Sequence, residues 1–100
     1  MAVRFTRQLS QLGVKGGVYL YAYTEISHIR EAGVPLGDIL IKLQGRQVTG
    51  MDQVIDAFMK MEPGIPVSLA FLRWNEEKQT FEPHEYTIPS KPMGGMFMPI

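Results

Sequence analysis

Cysteine is absent from this chain of 100 residues, which excludes a disulfide framework, a thiolate nucleophile and a zinc–thiolate site. Net charge is missing as well: ten basic side chains balance ten acidic ones. A neutral chain lacks the basic footprint of a nucleic-acid surface or a polybasic membrane anchor. No apolar run approaches the roughly 18 residues that a membrane span needs. The opening Met-Ala-Val-Arg-Phe-Thr-Arg has no apolar core of a secretory signal, so no targeting signal is legible. There is no internal repeat and no sign of a second domain. What is present is an ordinary globular composition, 45% apolar and 20% charged, in a length that suits one domain with its own core.

The most constrained stretch runs from Gly33 to Gly45. Gly33 supplies a helix stop, Pro35 and Gly37 a tight turn, and Gly45 a second turn. Between them Asp38 to Leu43 reads as a strand, and its near-continuous apolar run predicts burial on both faces. Upstream, Ala2 to Thr6 reads as a short strand and Arg7 to Leu12 as a single helical turn. Gly17 to Tyr23 alternates strictly, with Val18, Leu20 and Ala22 on one face and Tyr19, Tyr21 and Tyr23 on the other, the period of a strand. Thr24 is placed to cap a helix from Glu25 to Ala32, with Ile26, Ile29 and Ala32 along one side.

Downstream, a helix is predicted from Met51 to Met61, capped by Thr49 or Gly50 and stopped by Pro63-Gly64. Its apolar residues do not form one narrow stripe. Val54, Ala57, Phe58 and Met61 make a face for the sheet, while Ile55 and Met59 form a shoulder turned away from it. Pro66 to Arg73 and Thr80 to Pro89 read as strands joined by a polar hairpin loop, with Pro83 marking an edge or a kink. Residues 90–100 show no period and read as a flexible tail.

The ordered pieces Gly17-Val18-Tyr19-Leu20, Ala32-Gly33-Val34-Pro35-Leu36-Gly37-Asp38-Ile39-Leu40, Gly45-Arg46-Gln47-Val48-Thr49, Glu62-Pro63-Gly64 and Val67 to Arg73 resemble a PDZ domain. More narrowly, they resemble the bacterial kind attached to high-temperature-requirement serine proteases, C-terminal processing proteases and site-2 intramembrane proteases. The resemblance implies an α+β fold over residues 1–89, a small partly open β-barrel of five to six strands with two helices. It implies a non-catalytic, regulatory peptide-binding module without cofactor or metal, serving a protease of the bacterial periplasm or cell envelope. Its partner is a peptide or protein C-terminus with a hydrophobic end, bound by strand addition, not nucleic acid or a membrane. The residues it assigns to that groove are Ala2, Val3, Arg4, Phe5 and Thr6 on the strand and Met51, Asp52, Ile55, Phe58 and Met59 on the second helix. An alternative within the same fold is a scaffold or assembly domain of the secretion-machinery type, without peptide capture.

Two positions depart from the family pattern. The carboxylate-binding loop belongs ahead of Val3, where only Met1 and Ala2 stand, so it is either cut into or reduced to a few backbone N–H groups. Ser27-His28-Ile29-Arg30 replaces the usual Ser-Pro-Ala-Ala, which predicts a helix one turn longer with Ile29 packed inward. A few backbone hydrogen bonds at about 1 kcal/mol each and one or two buried apolar side chains at about 1.5–3 kcal/mol each, less the ordering of the peptide, amount to roughly micromolar affinity.

Other chemistry is weaker. Ser27-His28 are helix neighbours pointing about 100° apart with no third orienting group, so they do not read as a nucleophile and its base. His28 and His84 have no metal spacing. Asp52 and Asp56 read as a solvated helix face, and Gly13, Gly16 and Gly17 precede no phosphate-binding helix. The end Phe97-Met98-Pro99-Ile100 is of the kind such grooves bind, which makes the tail a candidate for its own groove or a neighbour's.

Overall fold

A computed structural model describes residues 7, 9–14 and 16–100 of the chain. The strands are β1 (Val18–Tyr23), β2 (Ile39–Leu43), β3 (Arg46–Gln47), β4 (Val67–Asn75), β5 (Thr80–Ile88) and β6 (Gly95–Pro99). Two helices are numbered here, α1 (His28–Glu31) and α2 (Met51–Lys60); residues 9–11 add a turn of helix. Pairing is antiparallel throughout, in the order β5-β4-β2-β1-β6, with β3 added to β2. The result is a partly open six-stranded sheet with few helices, the α+β architecture expected.

Each face of the sheet carries its own apolar cluster. Under the helices, Val18, Leu20, Ile29, Leu40, Val54, Met61, Leu69 and Phe71 are buried together, with Met51, Ala57 and Phe97 packed against them. On the other face Leu9, Ile39, Leu72 and Phe81 form a smaller cluster, joined by Tyr19, Trp74 and Ile100. The near-continuous apolar run of β2 thus serves both clusters, Ile39 facing one and Leu40 the other, as its sequence predicts.

Four expectations are corrected. Residues 90–100 are not without structure: β6 lies along β1, pairing Tyr19 with Met98 and Leu20 with Phe97. The first helix is shorter, not longer. Its cap is Ser27, whose Oγ accepts from the Arg30 N–H at 3.0 Å, while Thr24 Oγ1 instead donates to the Ile26 carbonyl and Ile26 is exposed. The clean alternation of β1 breaks at a register irregularity between Leu20 and Ala22, which brings the half-buried Tyr23 against the core, its hydroxyl donating to the Val34 carbonyl. Phe58, placed by its spacing on the core face of α2, is 46% exposed.

One polar network ties the strands that carry the groove. Asp38 is 2% exposed, and Arg73 from β4 grips it from two sides, Nε to Oδ1 and Nη2 to Oδ2, each at 3.0 Å. Arg73 Nη2 also donates to the Tyr86 hydroxyl at 2.6 Å. The hydrogen bonds to Asp38 hold the guanidinium still more firmly protonated than a free arginine. The Asp38 carbonyl in turn accepts the Leu20 N–H at 2.9 Å, linking this network to β1.

Candidate peptide-binding site

Three flanks of α2 have different neighbours. Val54, Ala57 and Met61 face the core. Met51, Ile55 and Phe58, at spacings of four and three, share a second stripe. Near that stripe, Lys91 Nζ, from the loop four residues before β6, lies 5.0 Å from the Phe58 ring centroid, and β6 runs beside the helix. Ile55 is 53% and Met59 76% exposed, so the shoulder seen in the sequence is real apolar surface outside the core. Asp52, also exposed, lies at its rim. Gln53, Asp56 and Lys60 occupy the third flank. There a cavity of about 390 Å³ opens against β3, floored by Leu43, Val48, Met61 and Val67. Its rim ion pair, Lys60 to Asp56 at 3.0 Å, is exposed and contributes little.

The structure therefore brings Met51, Asp52, Ile55, Phe58 and Met59 onto one side of α2. The other half of the predicted set, Ala2, Val3, Arg4, Phe5 and Thr6, lies outside the described residues. Among the described residues the strand that borders α2 at this end of the sheet is β6, with Phe97 packed inward against the same core as Met51 and Ala57. Met96 and Met98 point the other way and are exposed.

Ahead of β6, the loop from Ser90 to Gly94 is fixed along its length. Ser90 Oγ donates to the Glu62 carbonyl at 2.7 Å, just past the end of α2. The Pro92 carbonyl accepts from the His28 N–H at 3.3 Å, the Met93 carbonyl from Ile29 at 3.0 Å, and the Gly94 carbonyl from Thr24 at 2.9 Å. Gly94 has φ +78°, and a Cβ there would lie 2.2 Å from Ser27 Cα, so only glycine permits this approach. In a trans peptide the C=O and the following N–H point in opposite directions. With the carbonyls of Pro92 and Met93 committed to α1, the N–H groups of Met93 and Gly94 are aimed away from it. No described residue accepts from either. Successive N–H groups at a left-handed turn form a concavity suited to an anion, and Lys91, two residues before Met93, holds its ammonium over the Phe58 ring.

Sequence reading missed β6 and the loop before it because residues 90–100 lack period. The signal lay in Gly94-Gly95 followed by alternating Met96, Phe97 and Met98: a turn allowing positive φ, then a short strand. The remaining candidates do not converge. His28 packs against the Ser90 loop, and His84 sits opposite Phe71 on β5. Among the described residues no group of His, Asp and Glu is placed to hold a metal, and no helix is long and apolar enough to cross a membrane.

The family model of the PDZ domain matches residues 2–82, four-fifths of the chain. No curated protein and no solved structure is similar enough to add to that match. A partly open antiparallel sheet with few helices and a family match over most of the length agree on one assignment: the chain belongs to the PDZ domain family and is a protein-interaction module.

Proposed function

We propose that the groove between β6 and α2 captures the hydrophobic C-terminus of a partner polypeptide by strand addition. The peptide runs antiparallel to β6, so its last residue lies at the Gly95 end and its preceding residues extend toward Pro99. Its terminal side chain rests on Phe58 and Ile55, and the residues before it pass Met51, Met59 and Asp52. Its carboxylate meets the Met93 and Gly94 N–H groups, with Lys91 adding charge. The observation that carries this reading is the pair of N–H groups at Met93 and Gly94, turned from α1 just before the strand that is outermost on this side among the described residues, with the Lys91 ammonium over Phe58 and exposed apolar residues along α2. The capture is weak and reversible, roughly micromolar. The ordered motifs from Gly17 to Arg73 support a place for the module beside a bacterial envelope protease, sensing substrate ends and regulating the protease.

The test uses two peptides of one apolar sequence, one ending in a free carboxylate and one in an amide. The expected result by calorimetry is micromolar binding of the acid and at least about tenfold weaker binding of the amide, since charge-assisted hydrogen bonds contribute about 1.5–3 kcal/mol. Equal affinities, or none, overturn the reading and favour a scaffold role without peptide capture.

A further inference from the structure

We infer that Ser27 and His28 are positioning residues: by clamping the Ser90–Gly94 loop onto the start of α1, they hold the Met93 and Gly94 N–H groups where a ligand carboxylate arrives. This rests on the peptide-capture reading above and assigns a task to a Ser-His pair that the groove itself does not touch.

The clamp has several points of attachment. His28 holds the loop twice: its N–H binds the Pro92 carbonyl at 3.3 Å, and its Nδ1 lies 2.9 Å from the Ser90 carbonyl. A carbonyl only accepts, so this contact requires a hydrogen on Nδ1. Ser27 is buried; its Oγ caps α1 and also reaches the Met93 carbonyl at 3.5 Å. Its Cα and Cβ press against Gly94 so closely that no side chain fits there. The bonds to the Pro92 and Met93 carbonyls draw them toward α1, and planarity then turns the N–H groups of Met93 and Gly94 away from α1. The His28 imidazole hydrogen bond fixes the near end of the loop, and Ser90 Oγ to the Glu62 carbonyl fixes its distance from α2. Preorganised donors bind an anion better than donors that must be gathered on binding.

The test compares the acid and amide peptides on wild type, His28→Phe and His28→Asn, with the fold of each checked by its amide spectrum. His28→Phe keeps a planar ring and loses the donor. His28→Asn keeps a donor near the Nδ1 position. The expected result is that His28→Phe lowers the acid-over-amide affinity ratio about three- to tenfold while amide binding changes less than about twofold, and that His28→Asn retains the ratio. His28→Leu takes the place of His28→Phe if the larger ring is not accommodated. A wild-type preference that His28→Phe leaves intact, or that His28→Asn loses equally, overturns the clamp alone. A wild-type domain that binds both peptides equally overturns the groove reading and the clamp with it.

Discussion

Ile55→Asp is expected to weaken binding of a free-acid apolar peptide by about 30- to 150-fold while leaving the domain folded. The loss has two sources. The apolar contact with the ligand's terminal side chain disappears, and a carboxylate must be desolvated against it, together about 2–3 kcal/mol. The fold tolerates the change because Ile55 is half exposed on a helix surface and belongs to neither core cluster, where substitutions usually fall within about 0.5 kcal/mol. Gln53→Asp, on the opposite flank beside the β3 cavity, is the control and is expected to leave affinity unchanged. Unchanged binding by Ile55→Asp, measured by calorimetry, places the ligand elsewhere.

Arg73→Met is expected to destabilise the domain by about 3–5 kcal/mol, because it strands a nearly fully buried carboxylate without its cation. For a domain of this length that corresponds to a fall in Tm of about 15–30 °C. Adding Asp38→Asn to Arg73→Met is expected to recover part of the loss, since the buried charge is then gone and the two sites are in contact. The effect extends to the groove because Asp38 opens β2 and its carbonyl holds β1, the strand on which β6 is laid. Thermal denaturation of the three variants checks this; a loss under about 1 kcal/mol in Arg73→Met shows that the pair is merely superficial.

What the sequence disclosed follows from the range of the interactions involved. The β2 stretch was legible because its turns and its burial are both written locally, in Gly33, Gly37, Gly45 and the run from Ile39 to Leu43. The shoulder on α2 was legible because helical period sorts side chains by angle, and Ile55 and Met59 fall outside the core arc. Phe58 was misplaced by the same method: it lies at the boundary of that arc, where position relative to Lys91 and β6 decides exposure. The first helix was overextended because Ser27 and Thr24 are both good caps, and the one chosen depends on the Met93 carbonyl and Gly94, some 66 residues away along the chain. The same distance hid β6. Five residues, Gly95–Pro99, carry too little period to declare a strand, and only their pairing with β1 makes them one. The loop donors were invisible for a further reason: backbone N–H groups have no sequence signature beyond the glycine that lets them turn.

The most direct measurement is a titration of the labelled domain with a free-acid apolar peptide, followed through its amide resonances. The account predicts the largest shifts at Met93, Gly94 and along β6 to Met98, with smaller ones at Ile55 and Phe58, and the Met93 and Gly94 shifts alone lost when the peptide ends in an amide. Shifts concentrated around the β3 cavity at Val48 and Ile65, with Met93 to Met98 unmoved, contradict it.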